Sequence, residues 1–263
     1  MVQQTLTTRE QIKRVTGSVV STTLPVCRYS NCIFVLAHMR CGSTALSNIL
    51  CSRPEVSGYG EAHVRYDGRG ALGRLVVNQA LRRGWKPKAS FLFDKILHSR
   101  HDADAAPEFF EARAIFVARQ PAEAVPSITA LYKRLGRTEY GTDEQSARYY
   151  VERLRALARL WQGFPPERRL GLTHSDLIRE PEQQLARISG RLGFSPPLKN
   201  AYVSPAASRR GGAGDPVMSG KFNRIERQDP SAVSQKPGPD IAPGLLAEAE
   251  QAYAEFLDLI SGQ

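Results

Sequence analysis

The amino-acid sequence predicts a single α/β domain in which helices flank a central, mostly parallel β-sheet. Residues 33–37 form an unbroken apolar run, which is typical of a strand covered on both faces. Further short apolar runs alternate along the chain with longer helical patterns, an order typical of parallel sheets. The length of 263 residues suits one large domain. We expect this domain to cover 31–263, after an N-terminal extension over 1–30.

The first half of the chain contains a strand, a tight turn and a helix in immediate succession. We predict the strand over 32–37 and the helix over 43–52. Gly42 permits a tight turn between them, and Ser43 and Thr44 are favourable residues for a helix start. The other elements predicted in this half are a short strand near Val56, a basic helical segment over 72–83, and strands over 91–93 and 114–118.

Helical patterns dominate the second half. Pro121 suits the first position of a helix over 121–134, and an apolar stripe predicts another helix over 142–161. The remaining predicted elements are a strand over 170–173 and helices over 181–192 and 245–260. Residues 195–243 are rich in Gly, Pro, Ser and Arg, which predicts a long loop or lid.

The chain carries a formal net charge of +10, so we expect an anionic partner. Charge alone leaves open a nucleotide, a sulfated or phosphorylated product, a nucleic acid or a membrane surface. The sequence has no zinc-finger spacing, no RNP motif and no interleaved aromatic and basic stripe, which argues against nucleic acid. The polar N-terminus lacks a signal-peptide core, and no apolar run approaches ~18 residues, so we expect a soluble, cytoplasmic protein.

Four cysteines lie in the first fifth of the chain, at Cys27, Cys32, Cys41 and Cys51. Their spacing fits no zinc pattern, and an intracellular setting favours free thiols. We therefore predict no metal site. Cys41 lies inside the predicted turn, where we interpret it as a small turn residue.

The predicted turn has the features of a phosphate-binding loop. Unpaired backbone N–H groups and the helix dipole attract an anion to a helix start, and Arg40 adds a full positive charge. The residues expected to bind the anion are Arg40, Cys41, Gly42, Ser43, Thr44 and Ala45. The loop lacks the lysine and the first glycine of the motif that binds nucleoside triphosphates.

Four segments occur in an order that resembles one enzyme family. They are Arg40 to Thr44, the strand-to-helix junction Phe116 to Pro121 with Ser127, the segment Thr173 to Pro181, and the sequence RRGGAGD over 209–215. Together they resemble the sulfotransferases that use 3′-phosphoadenosine 5′-phosphosulfate (PAPS), and the loop style is most similar to bacterial small-molecule and carbohydrate enzymes. The resemblance implies a P-loop-like sulfotransferase fold.

The resemblance also implies how the donor is bound. The loop at Arg40 would hold the 5′-phosphosulfate, and Arg119 with Ser127 would hold the 3′-phosphate. Arg209, Arg210 and Gly211 would close over the same 3′-phosphate, with guanidinium groups paired to it bidentately. Sulfuryl transfer would leave adenosine 3′,5′-bisphosphate (PAP), and the fixed cations would stabilise the leaving phosphate without a metal.

The catalytic base has two main candidates. Glu61, followed by Ala62 and His63, resembles the segment in heparan-type carbohydrate sulfotransferases where a glutamate is the base. His98 resembles the catalytic histidine of cytosolic sulfotransferases, although its spacing from Lys95 differs by one residue. We favour Glu61, whose pKa would need to be raised by partial burial for it to be an effective base near neutral pH. Lys95 is interpreted as a cation near the transferred sulfuryl group, and His63 stays an alternative base.

The acceptor is less well defined. The basic segments 65–88 and 195–243 are expected to form its side of the site, with Tyr66, Trp85 and Tyr202 as candidate stacking surfaces. These features suit a small molecule or a carbohydrate, including an acidic or carrier-linked one. Two other functions stay open, namely a P-loop kinase or phosphotransferase, and a non-catalytic protein that binds polyanions.

Overall fold

The computed structural model describes residues 8–68, 70–204, 222–227 and 238–262. Its strands are β1 (Cys32–Ala37), β2 (Val56–Ser57), β3 (Phe91–Ile96), β4 (Arg113–Ala118) and β5 (Arg169–Thr173). They form one sheet in the order β2-β3-β1-β4-β5, and every neighbouring pair is parallel. The predicted α/β class is confirmed, and within the described residues the sheet is parallel throughout.

Helices cover both faces of the sheet. The described ones are α1 (Thr8–Thr23), α2 (Ser43–Ser52), α3 (Gly70–Leu81), α4 (Pro121–Arg134), α5 (Asp143–Gly163), α6 (His174–Arg179), α7 (Pro181–Leu192) and α8 (Pro243–Ser261). Short 3-10 turns lie at Tyr29–Asn31, Ser99–His101, Pro107–Glu111 and Pro166–Arg168.

The central strand β1 is buried on both faces. Phe34 and Leu36 face a core that contains side chains of α3, α5 and α8. Ile33 and Val35 face the opposite core, to which α2, α6 and α7 contribute. Because successive side chains of a strand point to opposite faces, burial of both faces requires the continuous apolar run seen in the sequence.

Local sequence signals set the start of two long helices. Pro121 is the first residue of α4, where its missing N–H leaves no helical hydrogen bond unmade. Thr142 caps α5, because its hydroxyl accepts from the Gln145 N–H and the Gln145 side chain accepts from the Thr142 N–H, both at 3.2 Å. The predicted starts at 121 and 142 therefore agree with the structure to within one residue.

Three elements differ from the sequence prediction. Strand β3 continues past 93 to Ile96, because Asp94 and Lys95 are buried within it and both find polar partners. The short helix α6 was not predicted. Helix α1 was not predicted either, and it packs against α3 so closely that a Cβ on Gly73 would lie 1.7 Å from the carbonyl oxygen of Gly17.

The predicted loop 195–243 is described at 195–204, 222–227 and 238–242, and at these positions it has no helix or strand. The side chain of Asn200 binds the backbone of Ile225 twice, at 2.7 and 3.0 Å. The Tyr202 N–H donates to the carbonyl oxygen of Asn223 at 2.7 Å. The two segments 198–204 and 222–227 therefore lie side by side.

The strand order creates a crevice at the carboxyl ends of β1 and β4. These strands are neighbours, but the chain leaves β1 towards β2 on one side of the sheet and leaves β4 towards β5 on the other. In open parallel sheets, ligands bind where the connections diverge in this way. A functional site is therefore expected at the loops after β1 and β4.

Candidate active site

The loop between β1 and α2 has the backbone geometry of an anion-binding turn. Arg40 and Gly42 adopt positive φ angles of 67° and 84°. Gly42 is the N-cap of α2, and no side chain caps this helix end. The first N–H groups of a helix have no intrahelical partner, so the N–H groups in the first turn of α2 face the position of an anion at this helix start.

Cys41 lies in the middle of this loop and is fully buried. Burial raises the pKa of its thiol, against the weaker opposing effect of hydrogen bonds from Ser43. A nucleophilic cysteine needs a lowered thiol pKa and an accessible sulfur. Cys41 is therefore a packing residue of the turn, as the sequence analysis interpreted it.

Buried side chains tie the loop to the neighbouring strand ends. His38 Nδ1 donates to the Met39 carbonyl oxygen at 2.7 Å, and His38 Nε2 accepts from the Arg119 N–H at 2.9 Å. This arrangement requires a neutral imidazole, and burial accordingly lowers the pKa of His38 to about 3. The Tyr149 hydroxyl accepts from the Met39 N–H at 3.0 Å and donates to the Leu97 carbonyl oxygen at 2.7 Å. The loop is thus fixed to the ends of β3 and β4.

Arg40, Arg119 and Ser127 meet in the crevice between β1 and β4. Arg40 Nε donates to Ser127 Oγ at 2.9 Å, and an Arg119 guanidinium N–H donates to the Arg40 carbonyl oxygen at 3.2 Å. Arg119 also pairs with Glu123 one helical turn further on, at 2.7 Å. The three residues predicted to bind phosphate groups therefore lie together, although 87 positions separate Arg40 from Ser127.

Lys95 connects the phosphate loop with Glu61. Its side chain is 1% exposed, and its Nζ lies 3.1 Å from Thr44 Oγ1 and 3.2 Å from Glu61 Oε1. Thr44 belongs to the first turn of α2, so the ammonium lies between the predicted anion site and the predicted base. A buried ammonium is tolerated when it is paired and hydrogen-bonded, and Lys95 is both.

The electrostatics of Glu61 differ from the sequence expectation. Burial works to raise the pKa of Glu61, but the charge of Lys95, followed by His63, outweighs this effect and holds the pKa below its usual value. Burial therefore does not raise the pKa of Glu61 as an effective base would need, because the sequence did not indicate that Lys95 is an ion-pair partner. Glu61 is a carboxylate at neutral pH.

The histidines near Glu61 are neutral at pH 7. Burial and the charge of Arg100 lower the pKa of His98 to about 4, and its ring packs against Tyr140 and Tyr149. His63 and His101 lie with ring centroids 5.7 Å apart, and burial lowers the pKa of each. His98 therefore lies in an aromatic cluster, whereas Glu61 contacts Lys95 directly.

A buried ion pair that was not predicted from the sequence lies beneath the site. Arg153 of α5 binds Asp102 through two guanidinium nitrogens, at 2.8 and 2.9 Å, and both side chains are 0% exposed. Arg153 also donates to the carbonyl oxygens of Ala37 and Ile96, the last residues of β1 and β3. The sequence did contain one indication that Arg153 is buried. Arg153 lies four positions after Tyr149, on the apolar face of α5.

Other candidates are buried or lie elsewhere. Tyr66 is fully buried and its hydroxyl donates to Asp94 Oδ2 at 2.6 Å, so the expectation that it stacks on an acceptor was wrong. Trp85 is partly buried against the core and Tyr202 is half-buried. Arg209, Arg210 and Gly211 lie outside the described residues.

The described residues contain neither a metal-binding cluster nor a membrane-spanning helix. Among them, no group of three or more His, Cys, Asp or Glu side chains could hold a metal ion. None of the helices that the structure describes is both long enough and apolar enough to cross a membrane.

Comparisons with known proteins agree with this architecture. Residues 69–196 match the sequence profile of a family described as the sulfotransferase family. The sulfotransferase domain from the curacin biosynthetic pathway is 18% identical, with a TM-score of 0.58 over 88% of this chain and 98% of that domain. The sulfotransferase domain from the Synechococcus PCC 7002 olefin synthase is 18% identical, with a TM-score of 0.59 over 86% of this chain and 96% of that domain.

A vertebrate structure has the same fold. Mouse sulfotransferase SULT7A1, complexed with PAP, is 13% identical, with a TM-score of 0.53 over 93% of this chain and 88% of that protein. No curated protein matches the sequence. The chain therefore has the fold of sulfotransferase structures, and its segment 69–196 matches the sequence profile of the sulfotransferase family.

Proposed function

We propose that this chain transfers a sulfuryl group from PAPS to an acceptor hydroxyl of a small molecule or a carbohydrate. The observation that carries the proposal is the position of Lys95, whose ammonium contacts both the first turn of α2 and Glu61. This arrangement joins an anion-binding helix end, a fixed cation and a proton acceptor in one continuous site. The match of residues 69–196 to the sulfotransferase family supports the reaction class, and the structurally similar mouse sulfotransferase that contains PAP supports the donor.

The donor-binding residues follow from the chemistry of the crevice. The uncapped N–H groups of Ser43, Thr44 and Ala45 fit a phosphate, and Arg40 supplies charge at the same turn. Arg119 and Ser127 are proposed to bind the 3′-phosphate, for which Arg119 would exchange Glu123 for the ligand. Two arginines suit a ligand with two phosphate groups, since guanidinium pairs bidentately with phosphate oxygens.

The proposed reaction is an in-line transfer. A bond forms between the acceptor oxygen and sulfur, and the bond between sulfur and the bridging oxygen of the 5′-phosphate breaks. Glu61 takes the proton of the acceptor hydroxyl. Lys95 and Arg40 stabilise the negative charge that develops on the departing phosphate, and PAP is released.

The ion pair with Lys95 keeps Glu61 ionised at neutral pH, as a general base must be. Because the pKa of Glu61 is held below its usual value, the carboxylate is ionised and ready to accept a proton. As negative charge grows on the leaving group, it counterbalances the charge of Lys95, so the effect of this cation on Glu61 weakens. The basicity of Glu61 then rises at the step in which the acceptor loses its proton.

Calorimetry tests donor binding. Wild-type protein should bind PAP in the absence of magnesium, and Arg119→Ala should weaken this affinity by ~10-fold or more, the loss of about one charge-assisted hydrogen-bonding group. Arg148→Ala is the matched control, because Arg148 also forms an i,i+4 pair with a glutamate but lies exposed on α5.

Binding of Mg-ATP without binding of PAP would favour a kinase. The wild type, Arg119→Ala and Arg148→Ala would all bind heparin equally if the protein binds polyanions without catalysis. This binding would weaken with salt, and PAP would not compete with it.

Single-turnover kinetics test the base. Glu61→Gln should lower the transfer rate by ~100-fold while PAP affinity stays within about 2-fold of wild type, because general bases typically contribute this much. His98→Ala is the comparison, and it should retain most of the rate. The opposite pattern, with a slow His98→Ala and a fast Glu61→Gln, would reassign the base to His98.

A further inference from the structure

A buried carboxylate next to Lys95 has no role in the proposed reaction. Asp94 is 1% exposed, in the middle of β3. Its Oδ1 accepts from the N–H groups of Ala62, at 2.7 Å, and of Lys95, at 2.8 Å. Its Oδ2 accepts from the Tyr66 hydroxyl at 2.6 Å. Burial is costly for a carboxylate and raises the pKa of Asp94 to about 7, against the opposing effect of these donors.

The hydrogen bonds of Asp94 connect the two members of the Glu61–Lys95 pair. Ala62 directly follows Glu61, so one carboxylate oxygen binds the backbone beside the proposed base and the backbone of the cation itself. The Lys95 N–H also donates to the carbonyl oxygen of Gly60, the residue before Glu61, at 3.1 Å. The main chain on both sides of Glu61 is therefore bound to the Asp94–Lys95 segment.

Strand geometry explains why the residue next to Lys95 can do this. Successive side chains of β3 point to opposite faces, so Lys95 reaches Thr44 and Glu61 while Asp94 faces Tyr66. The loop that carries Glu61 crosses the end of this strand and has no strand partner of its own at Ala62. An apolar residue at position 94 would leave the buried Ala62 N–H without an acceptor.

We propose that Asp94 is a positioning residue that sets the separation of the Glu61 carboxylate and the Lys95 ammonium. This inference rests on the proposed role of Glu61 as base. Asp94 itself does not touch the substrates, because it is enclosed by the core and its oxygens are occupied by three donors. Its effect on the reaction passes through the backbone at Ala62 and Lys95.

The test is a double-mutant cycle on the full chain. The rate is measured as single-turnover release of PAP from PAPS with water as acceptor, and PAP affinity is measured by calorimetry. Asp94→Ala should lower the rate on the order of 100-fold, the usual effect of misplacing a catalytic group by about 1 Å. PAP affinity should stay within about 3-fold, because the phosphate loop follows β1. In the Glu61→Gln background, Asp94→Ala should cost no more than about 2-fold, since both changes remove the same function.

Two further variants separate positioning from general damage. Tyr66→Phe perturbs the same buried cluster but leaves both bonds of Oδ1, so it should keep the wild-type rate. Asp94→Asn retains an amide oxygen at Oδ1 and should restore most of the rate lost in Asp94→Ala. If Asp94→Ala does not fold, Asp94→Glu replaces it, because the longer side chain moves the acceptor while keeping the carboxylate.

The outcomes distinguish the two proposals. The positioning role would be overturned if the rate losses of Asp94→Ala and Glu61→Gln multiply in the double variant, or if Tyr66→Phe is as slow as Asp94→Ala. Either result would leave Glu61 as the base. A full rate in Glu61→Gln alone would overturn the base assignment and this inference with it. A reduced rate in Asp94→Ala that vanishes in the Glu61→Gln background, with Tyr66→Phe unaffected, supports the positioning role.

Discussion

Replacing Gly42 by alanine tests the geometry of the phosphate loop. Gly42 has a φ of +84°, in the left-handed region that a residue with a side chain disfavours. A Cβ built at this position would lie 2.9 Å from Cδ2 and 3.7 Å from Nε2 of His174. Such a contact is shorter than carbon atoms tolerate, so either the loop or the imidazole must move. Movement of the loop displaces the N–H groups at the start of α2.

The expected loss of stability has two parts. The left-handed backbone costs about 1–2 kcal/mol for a residue other than glycine. Overpacking against His174 adds about 1–3 kcal/mol. Gly193 supplies the matched control, because it has a similar φ of +72° and a Cβ there would meet no atom within 4 Å. Gly193→Ala should therefore show the first part alone, and the difference between the two variants measures the contact with His174.

Urea unfolding and PAP calorimetry on the same samples give both quantities. Gly42→Ala should lose more free energy of unfolding than Gly193→Ala, and it alone should bind PAP at least ~10-fold more weakly, about 1.4 kcal/mol. The double variant Gly42→Ala/His174→Ala should regain the contact part, with His174→Ala alone as its reference. Equal stability losses in the two glycine variants, together with normal PAP binding by Gly42→Ala, would refute the loop geometry.

Two further predictions concern stability. Arg153→Met should cost about 3–5 kcal/mol in urea unfolding, because it leaves Asp102 buried without its cation. Arg148→Met removes an exposed pair and should cost far less, so equal losses in the two variants would contradict the buried pair. His38 has a folded pKa of about 3, so the unfolded chain binds more protons below pH ~6.5 and stability falls with acidification by about 1.4 kcal/mol per pH unit. Between pH 7 and 4, His38→Gln should reduce this fall in the free energy of unfolding by about that amount per pH unit, while His98, His101 and His174, whose pKa values are also lowered, keep their contributions. An unchanged slope would exclude a contribution from His38.

The elements predicted most accurately are those whose signals lie within the element. Strand β1 and helix α2 begin and end at the predicted residues, 32–37 and 43–52. The strand is an uninterrupted apolar run because the sheet covers it on both faces, and Gly42 marks the turn through its own backbone conformation. Helix α4 likewise occupies 121–134 as predicted, since Pro121 sets its start.

The elements predicted least accurately depend on distant partners. The prediction ended β3 at 93 because Asp94 and Lys95 look like surface charges, but their partners are supplied by the 60–66 loop and by α2. Helix α1 is polar, and its packing depends on contact between its Gly17 and α3. Neither partnership can be recognised from neighbouring residues in the sequence.

The same division applies to the candidate site. Arg40, Arg119 and Ser127 belong to local motifs, so a sequence comparison could nominate them before their proximity was known. Arg153 and Asp94 act mainly on backbone groups of distant segments, and backbone groups carry no sequence signature. Residues of this second kind organise the strand ends and the loops after them, which is why a structure was needed to find them.

Burial sorts the ion pairs at the carboxyl edge of the sheet into two kinds. The Arg153–Asp102 pair is 0% exposed on both sides, and Arg153 also holds the last carbonyl groups of two strands, so no ligand can replace its partner. The Arg119–Glu123 pair is 21% and 31% exposed beside the crevice, where a phosphate can compete for the guanidinium. We expect the first kind to set the spacing of the strand ends and the second kind to exchange partners when the donor binds. The Lys95–Glu61 pair is intermediate between these two kinds, because the side chain of Lys95 is buried while that of Glu61 is 14% exposed. The cation is therefore fixed and the carboxylate is accessible, which is the order that proton abstraction from an incoming hydroxyl requires.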